Sequence, residues 1–151
     1  YYADVIENVD ENDVVLDVCA GNLALDLILS RICKKVYAVE VNPEVLSRAL
    51  EIIGLDLPRN LIVVCCNALD FPVPQDVNTV ILLNIHWKHP IPIEWIEGKK
   101  FITSIGGEIA VLESPVPLNV DILADQLVKT LDFSLKDAYD LLRRLGLENK
   151  M

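Results

Sequence analysis

The amino-acid sequence predicts an α/β fold built on a doubly wound, mostly parallel sheet with helices on both faces. Short, continuously apolar runs recur along the chain, as strands covered on both faces require. Segments with helical spacing or helix-capping residues separate them, which implies parallel pairing through right-handed crossovers. With 151 residues, 52% of them apolar and 24% charged, the chain is expected to form one domain, residues 1–151, with a core large enough to offset its ordering entropy.

The elements follow in order. Tyr2–Val9 reads as a short helix or lead-in before the polar turn Asp10-Glu11-Asn12-Asp13. Val14–Val18 is the first strand. Asn22–Ile32 carries apolar residues at 25, 28, 29 and 32, which is helical spacing, and Lys34-Lys35 places positive charge near its C-terminus. Val36–Val41 is the second strand. In Asn42-Pro43-Glu44, Asn42 caps, Pro43 suits the first helical position and Glu44 suits the positive end of the dipole; Gly54 ends that helix. Leu61–Cys65 and Thr79–Leu83 are the third and fourth strands, separated by a proline-bearing loop. Pro90–Pro92 prevents a regular helix directly afterwards. Gly106-Gly107 precedes a fifth strand, Glu108–Leu112, and Val120–Leu131 is a helix. Ser134 and Asp137 resemble a capping box for a last helix through Arg144, stopped by Gly146.

Charge and composition narrow the function. Thirteen basic against 23 acidic side chains give a formal charge of −10, which opposes direct approach to nucleic acid unless a partner supplies the basic surface. No apolar run is long enough to cross a bilayer, and no signal-peptide pattern is present. Opening on Tyr1 in place of Met, the sequence is expected to continue upstream. Cys19, Cys33, Cys65 and Cys66 lack disulfide or zinc spacing and have apolar neighbours, so buried free thiols in the cytoplasm are expected.

In a doubly wound sheet, ligands bind beyond the carboxyl ends of the strands. The informative junction is Leu16-Asp17-Val18-Cys19-Ala20-Gly21-Asn22-Leu23, between the first strand and its helix. A glycine here permits close backbone approach, and helix N-terminal amides face the pocket. The second strand ends in Ala38-Val39-Glu40, where an acid accepts hydrogen bonds from ribose hydroxyls. Read without a ligand, Gly21 serves a tight turn and Glu40 is a solvated strand-end acid. A dinucleotide site fits poorly, because one of the three glycines of its compact fingerprint is present.

This junction resembles the class I S-adenosylmethionine (SAM)-dependent methyltransferases. Asp17 to Leu23 is similar to their Asp-x-Gly-x-Gly-x-Gly motif, Glu40 to their ribose-binding acid, and Asn67-Ala68 to the Asp-Ala after strand three that contacts the adenine amino group. The resemblance covers about Asp13 to Ser114. It implies a Rossmann-like fold, SAM as cofactor with S-adenosylhomocysteine as product, and Asp17, Cys19, Gly21, Asn22, Glu40, Asn67 and Ala68 as cofactor-binding residues. Cys19 and Leu23 stand where the family has its first and third glycines, Asn67 where it has Asp, and the family's final two antiparallel strands lack clear equivalents, implying a shortened C-terminal strand region.

Strand four runs into Leu83-Asn84-Ile85-His86-Trp87. Asn84-x-x-Trp87 is similar to the Asn-x-x-aromatic motif of amino-methyltransferases, including the ribosomal RNA adenine dimethyltransferases. That likeness implies that Asn84 and the Ile85 carbonyl hold an amine while Trp87 stacks on the acceptor. Positioning of this kind is a large part of catalysis. Ile85 and His86 replace the proline-containing pair usual there, and an ordinary strand-end turn with Trp87 as packing is the competing reading. Imidazole is a common general base, which makes His86 and His89 candidates for that role, and two histidines three apart are weak evidence for zinc, so no metal is expected. Trp87 and Trp95 line an acceptor pocket or pack in the core. Leu141, Leu142, Leu145 and Leu147 form a dimer surface or pack a helix onto the sheet.

The leading expectation is a methyltransferase acting on a small molecule or a protein group, with Asn84, His86 and Trp87 at the reacting edge. Its rivals are a non-catalytic Rossmann-like binding or assembly subunit and one half of a heteromeric RNA methyltransferase. A homodimer or a heteromeric partner is expected accordingly.

Overall fold

The structure is a computed structural model and describes residues 2–54, 56–84 and 86–147. By its contacts the chain divides into two compact units, residues 1–82 and 83–151.

The first unit contains α1 (Tyr2–Ile6), β1 (Val14–Asp17), α2 (Ala24–Ser30), β2 (Lys35–Glu40), α3 (Pro43–Ile53), β3 (Leu61–Cys65), a 3-10 turn (Ala68–Asp70) and β4 (Thr79–Leu82). Its strands are parallel in the order β3-β2-β1-β4. The chain steps outward from β1 to β2 and β3, then returns to lay β4 on the other side of β1. That reversal makes the carboxyl end of β1 a switch point, where open α/β sheets bind ligands. Every residue of β1 and β4 is buried, as their unbroken apolar runs demand. At the edge of this order, β3 is buried only at Leu61.

That edge position exposes Cys65, and the expectation that all four cysteines are buried is corrected. Cys33 is buried, Cys19 and Cys66 are half-buried and Cys65 is exposed; all four are free thiols. A second correction concerns α2, which starts at Ala24 and not at Asn22. Leu23 lies in the left-handed region (φ 66°), and the Asn22 side chain accepts from the Ala24 amide at 3.0 Å, so the helical turn begins later.

Two asparagines tie the amino ends of the strands. Asn60 Nδ2 donates to the carbonyls of Ser30 (2.6 Å) and Cys33 (3.3 Å), satisfying groups that the end of α2 leaves open. Asn78 Oδ1 accepts from the Val14 amide (2.9 Å), and its Nδ2 donates to Asp13 Oδ1 (3.1 Å). Replacing Asn78 with Ala is expected to cost about 1–2 kcal/mol, because the amide opening β1 and a buried carboxylate both lose a partner. Urea denaturation of the variant measures this, and an unchanged midpoint would remove the tie from the account of stability.

The second unit contains a 3-10 turn (Ile93–Trp95), β5 (Lys100–Ile105), β6 (Glu108–Glu113), α4 (Val120–Leu131) and α5 (Leu135–Arg144). One strand was expected here; there are two, paired antiparallel from Lys100 opposite Glu113 to Ile105 opposite Glu108. Gly106 and Gly107 both have positive φ (59° and 85°), as a two-residue hairpin loop of primed type requires. The parallel pairing expected for this segment therefore does not occur between these two strands.

Helix α4 lies against β6 and α5. Both helices are capped as their sequences suggest: Asn119 accepts from the Ile122 amide (3.2 Å) and Ser134 from the Asp137 amide (3.1 Å). Trp95, Phe101, Ile102, Leu112, Leu123, Leu127 and Leu142 form this unit's core. Leu142 and Leu147 are buried within the unit, which leaves neither available as a dimer surface. Gln126 reaches from α4 to Glu113 at the end of β6, accepting from its amide and donating to its carbonyl, both at 2.8 Å. No helix of the described residues is long and apolar enough to cross a membrane.

Candidate cofactor site and the Asn84 turn

The carboxyl ends of β1 and β2 are laced together by the turn between β1 and α2. The Ala20 amide donates to the Val39 carbonyl at 3.0 Å, and the Leu23 amide to the Ala20 carbonyl at 3.1 Å. Between them Gly21 takes φ 57°, a conformation that favours glycine. A Cβ built there would meet nothing within 4 Å, so the outer face of the turn is open to an approaching ligand.

Glu40, half-buried at the end of β2, holds this turn. Its Oε1 accepts from the Gly21 amide at 2.8 Å and its Oε2 from the Asn42 amide at 2.9 Å. Each carboxylate oxygen keeps further acceptor capacity, so the group suits a pair of vicinal hydroxyls as well as the backbone it clamps. Asn42 then caps α3, accepting from the amides of Glu44 (3.0 Å) and Val45 (3.3 Å). Asp17, Cys19, Gly21, Asn22 and Glu40 thus gather around one turn.

Within that turn Cys19 donates its amide to Asp17 Oδ1 at 3.3 Å. Leu23 is wholly buried, so the large side chain at the family's third glycine position points into the protein. In the third strand's register Glu40 lies opposite Cys65, and Asn67 follows two residues later. Asn67 is exposed and its Oδ1 accepts from the Leu69 amide at 3.0 Å, capping the 3-10 turn; Ala68 is buried. A groove of about 430 Å³ between α2 and α3 is bordered by Asn22, Leu27, Val45 and Arg48. Another, of about 740 Å³, lies where α4 meets α5; its walls include neither the glycine turn nor Asn84.

Sequence reasoning missed Asp26. It is wholly buried, and its neighbour is the Asp17 carboxyl. Burial first, then the charge of Asp17, holds the Asp26 carboxyl well above the usual carboxylate range. Burial raises Asp17 as well, against the lowering effect of its hydrogen bonding with Asp26 and the Cys19 amide. The signal was present: an acid interrupting the apolar stretch from Leu23 to Leu29.

In the second unit Asn84, His86 and Trp87 form one turn. Asn84 Oδ1 accepts from the His86 amide at 2.9 Å, and the Trp87 amide donates to the Asn84 carbonyl at 3.1 Å. Asn84 and His86 are exposed. The half-buried Trp87 ring packs at 5.4 Å against Trp95 and edge-on at 5.4 Å against His89. Trp95 is 1% exposed, which makes it core and removes it from any pocket wall. Ile85, whose carbonyl the resemblance brings to an acceptor amine, lies outside the described residues. No group of three or more His, Cys, Asp and Glu suited to a metal occurs among the described residues.

No protein-family model matches the sequence, and no curated protein does either. Solved structures do. A precorrin-6y C5,15-methyltransferase from Geobacter metallireducens is 16% identical, with a TM-score of 0.54 over 68% of this chain and 59% of that one. Wild-type Trm5b from Pyrococcus abyssi is 15% identical, with a TM-score of 0.51 over 97% of this chain and 40% of that one. A geranyl diphosphate methyltransferase in complex with GPP and sinefungin is 17% identical, with a TM-score of 0.50 over 68% of this chain and 43% of that one. The chain spans less than two thirds of each of these proteins. With the β3-β2-β1-β4 order of its first unit and these neighbours, the chain has a Rossmann-like α/β fold similar to that of these solved structures.

Proposed function

We propose that the protein binds SAM at the glycine turn and acts as a methyltransferase. The carrying observation is the Glu40 clamp: a carboxylate at the end of β2 held between the Gly21 and Asn42 amides, beside a turn with an open outer face. On this reading Glu40 accepts from the ribose hydroxyls, Asp17, Cys19, Gly21 and Asn22 line the methionine side, and Asn67 and Ala68 flank the adenine. SAM supplies an electrophilic methyl group on a sulfonium. Asn84 and Trp87 hold the acceptor, and His86 takes its proton where the acceptor must lose one. A small molecule or a protein group is the acceptor class favoured by the formal charge of −10.

Calorimetric titration of the purified chain with SAM and S-adenosylhomocysteine tests the reading. Saturable one-to-one binding of both supports it. Silence in calorimetry, thermal shift and NMR titration alike would remove independent methyl transfer.

Asn67→Asp is expected to tighten SAM binding about 3- to 10-fold, since a carboxylate accepts from the adenine amino group more strongly than an amide. Aspartate caps as well as asparagine, so stability should hardly move. Equal affinity of the two proteins would place the adenine elsewhere.

A further inference from the structure

Beside the glycine turn lie two acids that no basic residue neutralises among the described residues. Asp26 is the third residue of α2 and wholly buried, with Leu25 and Leu29 buried on the same short helix. Neither of its oxygens meets a hydrogen-bond donor among the described residues. The group beside it is the Asp17 carboxyl, itself 3% exposed, whose Oδ1 accepts from the Cys19 amide. The charged groups that act on the pair are the two acids themselves and, on Asp17, Glu40 from β2. Two adjoining buried carboxylates do not both ionise without a cation. An orphaned carboxylate in such a place is costly, whereas a carboxylic acid next to a carboxylate supplies the missing donor.

We propose that Asp26 is a positioning residue: as a neutral acid it donates its O–H to the Asp17 carboxylate, and a cationic ligand seated against Asp17 displaces that proton. In the free protein the pair carries one negative charge and fixes the Asp17 carboxylate beneath the Cys19 amide. When an organic cation arrives, the Asp26 O–H bond breaks, the proton passes to solvent, and the second negative charge faces the ligand. Nothing is oxidised or reduced. The shared proton stands on the pair alone; its displacement rests on the cofactor reading above. SAM bears a sulfonium and an ammonium, so it is the cation used as the probe.

The test begins without ligand. A carboxyl that keeps its proton in the folded state favours folding most at low pH, and that advantage fades as pH rises past the unfolded-state value. Asp26→Asn cannot ionise, so its urea midpoint relative to the native protein should rise between pH 5 and pH 8.5. A gap that is the same at both pH values overturns the shared proton. Should the variant fail to fold, carboxyl-carbon NMR of the aspartate-labelled native protein reads the same property. One aspartate titrating well above the others supports the proposal, and all titrating in the ordinary range overturns it.

With ligand, SAM titrations in buffers of different ionisation enthalpy count released protons. The native protein should release up to one, so that affinity rises by as much as about tenfold per pH unit, and Asp26→Asn should release none. Binding without proton release at any pH overturns the displacement. A pH-dependent stability gap with no SAM binding supports the shared proton and removes the cofactor reading instead.

Discussion

Glu40→Ala is expected to weaken SAM binding about 100-fold, the largest binding effect of any single change in the first unit. The carboxylate makes two charge-assisted bonds to backbone, at 2.8 Å to Gly21 and 2.9 Å to Asn42. On the proposed reading it also receives the ribose hydroxyls. Hydrogen bonds to a charged group contribute about 1.5–3 kcal/mol each, so losing the ribose contacts together with the clamped turn reaches a hundredfold readily. Part of the loss is local: Gly21 and Asn42 would no longer be held in one arrangement. Glu40→Gln separates the parts. Its single oxygen serves one amide, and its NH2 faces the other donor, so its affinity should fall between native and Ala. Calorimetry gives the affinities and a thermal melt shows whether the fold is intact; an Ala variant that melts and binds like native protein would take the ribose away from Glu40.

Trp95→Ala should destabilise the protein by about 3–5 kcal/mol, the range for truncating a buried large aromatic. The side chain is 1% exposed and Trp87 packs on it at 5.4 Å, so truncation removes core contacts and leaves a cavity that the paired ring fills incompletely. Against a typical total of about 5–15 kcal/mol, that is a large fraction. Trp87→Ala should cost less, about 1–2 kcal/mol, because Trp87 is less completely buried than Trp95. Urea denaturation curves of the two variants rank them. If Trp87→Ala proved the costlier, the packing hierarchy in this unit would be reversed.

Residues that shape the backbone through their own chemistry were legible in the sequence. Asn42-Pro43-Glu44 announced α3 and Gly54 its end, and α3 runs from Pro43 to Ile53. Val120–Leu131 and the Ser134-capped helix were found at the boundaries the sequence implies. Gly21 and Glu40 were placed together by their positions at adjacent strand ends, although nothing local in the sequence showed that one carboxylate would grip both following amides. β5 was missed because Lys100–Ile105 mixes Lys, Thr and Ser with its apolar residues, and its meaning depends on the hairpin partner across Gly106-Gly107. Cys65 looked buried because its neighbours in sequence are apolar, but exposure on an edge strand is decided by which strand lies beside it. Asp26 was passed over for a similar reason: one acid in an apolar run reads as a surface interruption until the fold brings Asp17 alongside.

The Gln126 clasp on Glu113 bears on how the molecule behaves in company. A β-strand recruits another chain by offering an amide and a carbonyl in register, and at Glu113 both are already engaged by a side-chain amide that mimics a peptide group. An incoming strand would have to break two good hydrogen bonds before forming its own. Removing the clasp, as Gln126→Ala does, should therefore slow no chemistry; it should shorten the time the purified protein survives on warming before it turns cloudy.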